Sequence, residues 1–345
     1  MIENEEEVKS TIEEVFDFQR EWLSGRKEFV IRTSGSTGIP KSIRVTREKM
    51  SASARGTIEI LGLQPGQIAV LCLDPSFIAG KMMIVRALEA KMKLLPLPVS
   101  RNPLANYMDD LNGAFMAVVP LQLQAMLQNA RSLENINSMH SIIVGGGPLS
   151  PELERQLQNV ESAVYHTFGM TETLSHIALR PVNGPKASKW FQVLPGIEIQ
   201  KDEKDCLMIK GAVTDHRWLK TNDVVETGDG KTFRWLGRSD NMINSGGVKL
   251  FPEMLEKEIF PIIKTYGRDT AFFLAGMTDR ELGQKLVLFL EGLQLNSKEK
   301  DDLLKELKNI LPDYHAPREV FCLSKFEWTV TGKIKRKATL ENISQ

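Results

Sequence analysis

The chain has 345 residues, of which 44 are basic and 44 acidic, so its formal net charge is zero. This length allows two or three domains with a substantial buried core, and the charge balance gives no general electrostatic reason to expect nucleic acid or a membrane as partner. The three cysteines lie far apart in apolar contexts and form neither a disulfide framework nor a zinc-ligand spacing, so we expect a reducing compartment.

The N-terminal segment is acidic and has the apolar periodicity of an amphipathic helix. One stripe is predicted to contain Val8, Ile12, Val15, Phe16 and Trp22. The segment lacks the basic start and apolar run of a signal peptide. No continuous apolar stretch is long enough to span a bilayer, so we expect a cytoplasmic protein.

Short β-branched runs then alternate with helical patterns up to about Gly169, which predicts an α/β fold with a largely parallel sheet. The stretch from Leu179 to Leu236 is predicted to be mostly β. A compact α+β unit begins near Asp240, with Pro252 in the first turn of one helix and Ser297 opening another.

The pattern therefore predicts two domains. The larger, residues 1–239, is an α/β domain with an added mostly β segment, and the smaller, residues 240–345, is an α+β domain.

The segment "RTSGSTGIPKSIRVT", which ends at Thr46, is rich in serine, threonine and glycine. Its N–H and hydroxyl groups can surround phosphate oxygens, with Lys41 as a point charge, although a solvated turn has the same composition. A Walker loop requires glycine where Pro40 stands and continues into a helix. Here a strand pattern follows, so we exclude a P-loop NTPase. We expect a strand, a loop and a second strand, followed by a helix that Thr46 caps.

Two further segments carry the chemistry of a nucleotide site. "GGGPLSPEL" follows a strand and opens a helix with Ser150 as its N-cap. "TFGMTET" offers Phe168 to stack on a purine, Thr171 as a donor to the α-phosphate, and Glu172 as an oxygen ligand for a magnesium ion that ATP phosphates already hold. The alternative is a core aromatic followed by a helix capped at Thr171.

"TSGSTGIPK" resembles the phosphate loop of the adenylate-forming superfamily, which contains acyl-CoA synthetases, peptide-synthetase adenylation domains and luciferases. Other segments match that superfamily in its order: "TFGMTET", "LKTNDVVE", "WLGRSDNMI", "NSGGVKLFPEMLE" and "TVTGKIKRKAT". The chain departs from the usual pattern with Phe168 in place of Tyr and Asn222 in place of Gly. Only 32 residues precede Thr33, whereas family members usually have well over a hundred before this loop, so we expect an abbreviated N-terminal subdomain.

The resemblance implies the adenylate-forming enzyme fold and a set of site roles. Catalysis is assigned to Lys333, Thr171 and Glu172, with Glu172 also the metal ligand. The residues assigned to ATP are Thr33, Ser34, Gly35, Ser36, Thr37, Gly38, Lys41, Gly146, Thr167, Phe168, Asp223 and Arg238. Asp223 accepts hydrogen bonds from both ribose hydroxyls and Arg238 adds a charged donor.

The remaining assignments concern the acyl group, the hinge and the thiol. Gly145 and Gly147 line the acyl and adenine site, Asp240 is the hinge, and the loop with Gly246 and Gly247 lines a pantetheine tunnel. The implied reaction is attack of a carboxylate on the α-phosphorus of ATP, then attack of a thiol on the acyl-adenylate. The expected cofactors are ATP and Mg²⁺, and CoA is the expected co-substrate.

The acyl-pocket segment "FIAGKMMIVR" suggests the substrate. Phe77 stands where the family often has His, and Arg86, six residues after Gly80, falls where 2-succinylbenzoate–CoA ligases carry a basic residue. Lys81 is a second candidate. A basic group in an acyl pocket is costly without an anionic partner, which favours an acid with a second carboxylate. A short chain with these motifs also resembles some bacterial 2-succinylbenzoate–CoA ligases, and this resemblance implies a role in menaquinone biosynthesis. Alternatively, Arg86 lies on a solvated helix face.

Other functions stay open on the sequence: another aryl or medium-chain acyl-CoA synthetase, an adenylation domain that charges a carrier protein, or a non-catalytic nucleotide-binding homologue. The expected partners are a small carboxylic acid, ATP and CoA, without nucleic acid or membrane insertion. The sequence leaves the oligomeric state undetermined, and a homodimer is allowed.

Overall fold

The computed structural model describes residues 2–33, 41–267, 270–329 and 334–342, with the backbone alone for residues 2–10, 32, 33 and 41. The chain opens with helix α1 (Ile2–Leu23). An antiparallel hairpin follows, β1 (Glu28–Thr33) and β2 (Lys41–Thr46), and leads directly into α2 (Arg47–Leu61). The predicted order of strand, loop, strand and helix is confirmed, and the Thr46 hydroxyl accepts a hydrogen bond from the Lys49 N–H at 3.3 Å.

A large mixed sheet dominates the described part of the chain. Its strands, in the order they occur along the chain, are β3 (Ile68–Leu71), β4 (Lys93–Pro96), β5 (Phe115–Val118), β6 (Ser141–Val144), β7 (Ala163–Gly169), β8 (His176–Pro181), β9 (Phe191–Val193), β10 (Ile197–Lys201), β11 (Cys206–Gly211), β12 (Leu219–Thr227) and β13 (Thr232–Arg238). Their spatial order is β10-β11-β12-β13-β9-β8-β7-β6-β5-β3-β4. Strands β3 to β7 pair in parallel and the rest antiparallel, as the sequence pattern predicts.

Helices cover both faces of the parallel part of this sheet. They are α3 (Ile78–Glu89), α4 (Pro120–Leu127), α5 (Ala130–Ser138) and α6 (Pro151–Leu157). Successive side chains of a strand point to opposite faces. Accordingly Ala69 and Leu71 join the core under α1, α2 and α3, whereas Val70 and Cys72 join the core under α4, α5 and α6.

A second sheet begins at Ile243, just beyond the predicted boundary at Asp240. Its strands are β14 (Ile243–Ser245), β15 (Val248–Leu250), β16 (Phe272–Asp279), β17 (Gly283–Glu291) and β18 (Glu319–Leu323), and its helices are α7 (Pro252–Tyr266), α8 (Ser297–Ile310) and α9 (Arg336–Glu341). Its core is separate from those of the large sheet. This is the α+β unit that the sequence predicts.

One local prediction is wrong. The stripe of α1 that packs against the protein contains Val15, Phe18 and Trp22, whereas Phe16 is 59% exposed. Positions i, i+3 and i+7 fall on one helix face, and residue 16 lies about 100° away from residue 15. The prediction that Ser297 opens α8 is confirmed, and the N-cap before it is Asn296, which accepts from the Glu299 N–H at 3.0 Å.

In the described ranges no helix is long and apolar enough to cross a bilayer. The three cysteines are free thiols.

Candidate active site

Two glycine-rich strand ends lie side by side at the carboxyl edge of the parallel strands. Strands β6 and β7 are neighbours, and a Cβ atom added to Gly145 would lie only 2.5 Å from the Thr167 hydroxyl oxygen. Gly146 has φ +83°, a left-handed conformation that side chains other than glycine rarely adopt. The His166 imidazole hydrogen-bonds the Gly147 carbonyl at 3.2 Å. The sequence therefore brings two of its predicted motifs into contact, as ligand sites of open α/β sheets require.

After Gly169 the chain makes a single 3-10 turn over Thr171–Thr173. The buried Thr173 hydroxyl accepts from the Met170 N–H at 3.1 Å and donates to the Ser175 carbonyl at 2.8 Å. The Thr171 and Glu172 side chains remain exposed at the surface. The alternative reading of Thr171 as a helix cap is wrong, because Thr173 organises this turn.

Phe168 is half-buried in an aromatic cluster. Its ring centroid lies 5.6 Å from that of Phe191 and 5.0 Å from that of Phe233, both edge-on. Edge-to-face packing fixes the plane of the ring. The cluster also connects the end of β7 to β13, and hence to the neighbouring ribose motif.

Asp223 is buried on β12 with 8% of its surface exposed. Its Oδ1 accepts a hydrogen bond from the Trp235 indole N–H at 2.8 Å. Burial raises the pKa of the Asp223 carboxyl, while the bond from Trp235 and the charge of Arg238 act in the opposite direction. Among the described residues no hydrogen bond to Oδ2 is present, so one oxygen is left for a ligand.

Arg238 lies opposite Asp223 in the β12–β13 register, but its guanidinium pairs with Asp240 at 2.8 Å. Asp240 also accepts from the Asn222 amide at 3.2 Å. Asp240 is thus an exposed residue that contacts both side chains, and its role as a hinge stays a prediction. The residue that replaces the family's usual glycine, Asn222, helps to hold the segment between the two sheets.

Gly246 and Gly247 form the two-residue turn between β14 and β15, with φ +58° and +86°. Positive φ at both positions is typical of a type I′ hairpin. The Gly246 N–H donates to the Leu282 carbonyl at 3.0 Å, which ties this turn to the neighbouring loop.

Arg86 lies in the interior of the protein, with 2% of its surface exposed. Its Nη2 donates to the Ser175 hydroxyl at 3.0 Å, and its buried Nε has no hydrogen-bond partner. No carboxylate among the described residues lies within ion-pair distance of the guanidinium. Burial lowers the pKa of Arg86 to about 10, so the group stays charged at neutral pH. The alternative of a solvated helix face is wrong.

The two other predicted acyl-pocket residues lie at and near the start of α3. Phe77 is its N-cap residue, and the Lys81 ammonium lies 4.9 Å from the ring centroid of Phe18 on α1. Burial lowers the pKa of Lys81, and Glu14 is the first of three carboxylates whose charges oppose this. Gly80 is required here, since a Cβ would come within 2.3 Å of the Asp74 carbonyl oxygen. Lys81 therefore contacts the N-terminal helix, whereas Arg86 contacts Ser175.

Several predicted residues lie outside the described residues: Ser34, Gly35, Ser36, Thr37, Gly38 and Lys333. Thr33 and Lys41 face each other in the β1–β2 register at the end of the hairpin. Their roles in binding phosphate stay predictions.

The sequence analysis missed Trp235, Ser175 and His166, which support the predicted residues. Trp235 and His166 each lie on the same strand as residues of a predicted motif, so the sequence contained a signal for both. Ser175 offered no such signal, because its partner Arg86 is 89 positions away in the chain.

Comparison with known proteins agrees with this geometry. A family model described as "AMP-binding enzyme" matches residues 8–204, more than half of the chain. The chain belongs to the AMP-binding enzyme family. As a member of the adenylate-forming superfamily it is an AMP-forming acid–thiol ligase, a conclusion that the names of its relatives also support.

Three relatives of this AMP-binding enzyme illustrate the match. A crystal structure described as an acyl-CoA synthetase (AMP-forming)/AMP-acid ligase II-like protein from Dyadobacter fermentans is 40% identical, with a TM-score of 0.67 over 96% of this chain and 93% of that one. A probable 2-succinylbenzoate–CoA ligase from Mycobacterium tuberculosis is 26% identical over 91% of this chain and 84% of its own length. The o-succinylbenzoate coenzyme A synthetase of Bacillus subtilis, solved with ATP and magnesium ion, shares the fold with a TM-score of 0.69 at 21% identity, over 90% of this chain and 69% of that one.

Proposed function

We propose that this adenylate-forming ligase is a 2-succinylbenzoate–CoA ligase. The single observation that carries the proposal is the buried Arg86 guanidinium, which has a free Nε and no carboxylate partner among the described residues. Burying an unpaired charge destabilises the folded protein by roughly several kcal/mol unless an anion binds it. A fatty acid or benzoate has only the carboxylate that reacts with ATP, whereas 2-succinylbenzoate has a second one for Arg86.

The names of several relatives support this choice of substrate, and at 23–26% identity they suggest it without fixing it. The position of Arg86 six residues after Gly80 is a separate reason, since it matches the basic residue that this group of ligases carries.

The proposed chemistry uses ATP as substrate. The acid's reacting carboxylate attacks the α-phosphorus, releasing pyrophosphate, and the thiol of CoA then attacks the acyl-adenylate and releases AMP. Both steps depend mainly on positioning and charge stabilisation. In this scheme Lys333 contacts the carboxylate and the α-phosphate, and Thr171 donates to the α-phosphate.

The nucleotide would lie along the strand ends described above. Asp223 offers Oδ2 to the ribose hydroxyls, and Arg238 would exchange Asp240 for the ribose when ATP binds. Phe168 offers one ring face to adenine beside Gly146 and Thr167.

Glu172 fits a magnesium ion, because its carboxylate is exposed beside the α-phosphate donor and Mg²⁺ prefers one or two carboxylates plus phosphate oxygens. No group of three or more potential ligands occurs among the described residues, which agrees with an ion that ATP brings with it. Such an ion would neutralise charge on the phosphates.

We also infer that the chain divides at Asp240 into residues 1–239 and 240–345, and that the smaller part moves between the two steps. The support is the change from one sheet and core to another after β13. The loop with Gly246 and Gly247 would then line the path of the pantetheine thiol.

The test is pyrophosphate release from ATP with 2-succinylbenzoate, benzoate and octanoate, with and without CoA. We expect turnover with 2-succinylbenzoate, and CoA-dependent release of AMP separates a ligase from a carrier-charging domain. Arg86→Met should lower kcat/KM for 2-succinylbenzoate by ~30-fold or more, because truncating one partner of a buried charge pair costs about 2–5 kcal/mol. Arg55→Met, an exposed arginine on α2, is the matched control.

Equal activity on all three acids, or Arg86→Met with the kinetics of wild type, would contradict the proposal. Nucleotide binding without pyrophosphate release from any acid would instead indicate a non-catalytic homologue.

A further inference from the structure

A chain of four polar side chains, three of them buried and Ser175 half-buried, connects Arg86 to helix α2. The Arg86 Nη2 lies 3.0 Å from the Ser175 hydroxyl, which lies 3.4 Å from the His176 Nδ1. The His176 Nε2 lies 3.0 Å from the Thr57 hydroxyl. Thr57 is completely buried and His176 is 7% exposed. We refer to these four side chains as the Arg86 relay.

The direction of every hydrogen bond in the Arg86 relay follows from its far end. The Thr57 hydroxyl donates its one proton to the Ser53 carbonyl at 3.1 Å, so its oxygen must accept from the His176 Nε2–H. The Nδ1 atom then carries the lone pair and accepts the Ser175 proton. The Ser175 oxygen is left with lone pairs, one of which accepts from Arg86.

The reverse direction satisfies fewer groups. If Thr57 donated to His176, the Ser53 carbonyl would lose this bond. The Ser175 hydroxyl would accept from both neighbours, and no described residue would take its proton. The first arrangement pairs more polar groups of the described residues and is therefore favoured. Burial, and next the charge of Arg86, lower the pKa of His176 well below its ordinary value, which agrees with a neutral imidazole.

We propose that Thr57 and His176 are positioning residues for substrate selection, because they set the Ser175 hydroxyl to hold one edge of Arg86 and leave its Nε free for a substrate carboxylate. This inference rests on the proposed function. With the opposite tautomer, the His176 Nδ1–H would compete with Arg86 for the lone pairs of Ser175, and no described residue would fix the direction of the Ser175 proton. The hydroxyl would then no longer be held with a lone pair towards the guanidinium.

The same serine is also hydrogen-bonded to the nucleotide motif, which ends at Thr173. The Ser175 N–H donates to the Thr173 carbonyl at 2.7 Å, and its carbonyl accepts from the Thr173 hydroxyl. The 3-10 turn that presents Thr171 and Glu172 is thus two residues from the group that holds Arg86. The arrangement places recognition of the second carboxylate and the α-phosphate donor on one short segment.

The experiment compares Thr57→Val, which keeps the shape of threonine and removes the acceptor, with Thr57→Ser, which retains the hydroxyl. The readout is the ratio of kcat/KM for 2-succinylbenzoate to that for benzoate, with the two kinetic constants determined separately. Thr57→Val should lower this ratio about tenfold, mainly because the Michaelis constant for the dicarboxylic acid rises. Thr57→Ser should keep the ratio of wild type. Equal losses on the two acids would show a merely structural role and overturn the inference, as would an unchanged ratio.

A second measurement does not depend on the Thr57 variants. Nitrogen-15 NMR of the wild-type histidines, with His176 assigned by comparison with His176→Gln, should show a neutral ring protonated on Nε2. A proton on Nδ1 would overturn the inference. If wild type shows no preference for 2-succinylbenzoate and Arg86→Met has no effect, the proposed function fails. If both behave as proposed and Thr57→Val leaves the ratio unchanged, the relay alone fails.

Discussion

The contact between Gly145 and Thr167 allows a prediction whose size follows from the structure. In Gly145→Ala the new methyl carbon would lie 2.5 Å from the Thr167 hydroxyl oxygen, a separation that real Cβ atoms essentially never show. The two strand ends must separate or Thr167 must change rotamer. Overpacking of this kind typically costs about 1–3 kcal/mol of unfolding free energy.

The other atoms of Thr167 show how the cost can be removed. Its Cβ and Cγ2 would lie 3.7 and 3.8 Å from the new methyl group, which is ordinary contact. Thr167→Ala therefore removes the one atom that clashes. The double variant Gly145→Ala/Thr167→Ala should regain most of the stability that Gly145→Ala loses, giving a favourable coupling free energy of roughly 1 kcal/mol or more.

Gly147→Ala is the matched control. Its Cβ would come no closer than 3.9 Å to Pro120, and its φ is not in the left-handed region, so its unfolding free energy should stay within about 0.5 kcal/mol of wild type. Urea unfolding of the four proteins and wild type gives the values. Additive effects of Gly145→Ala and Thr167→Ala, or equal stabilities of Gly145→Ala and Gly147→Ala, would refute the reasoning about this strand contact.

Two further predictions concern pH and the N-terminal helix. Burial, and next the charge of Arg180, lower the pKa of His166 to about 3, below its ordinary 6.5, so the unfolded chain takes up the proton first and the stability contributed above pH 6.5 is lost as pH falls towards 3. Between pH 6.5 and 5 the unfolding free energy of wild type should therefore fall about 1.6 kcal/mol more than that of His166→Asn. An equal fall of the two proteins in urea unfolding over this pH range would contradict this. Phe18→Ala should lower the unfolding free energy by about 3–5 kcal/mol, because Phe18 is only 4% exposed. Phe16→Ala, on the outer face of α1, should change it by less than about 0.5 kcal/mol. Equal thermal midpoints of the two variants would show that α1 does not pack as described.

Much of the fold could be read from local pattern. Strands β3 to β7 are short apolar runs between turn signals, and their parallel order follows from the intervening helices. The cap at Thr46 was predictable because its hydroxyl acts on a residue three positions away. The start of α8 at Ser297 was predictable for an equally local reason, since Asn296 stands one position earlier and forms the capping box with Glu299.

The site was less predictable where it depends on burial and on distant partners. Apolar periodicity does not distinguish Arg86, which is buried, from an exposed arginine on another helix, and only the resemblance to known ligases singled it out. Ser175 and His176 stand just after a predicted motif, yet His176 contacts Thr57 across 119 positions of the chain. Such contacts arise from the packing of α2 and α3 against β8, which periodicity does not reveal.

The predicted hinge residue, Asp240, forms a contact with Arg238 that would differ between the free and the ATP-bound protein. Asp240 holds Arg238 and Asn222, and the same arginine is proposed to bind ribose. ATP would therefore compete with Asp240 for Arg238, and its binding would loosen the segment between the two sheets. In this account the nucleotide itself prepares the smaller unit to move.

The most direct test of the central claim is a crystal structure with ATP and 2-succinylbenzoate bound. The account predicts one substrate carboxylate at the α-phosphate and the other within hydrogen-bond distance of the Arg86 Nε, with Ser175 still bonded to Nη2. A complex in which the second carboxylate lies elsewhere, and Arg86 keeps Ser175 as its one partner, would contradict it.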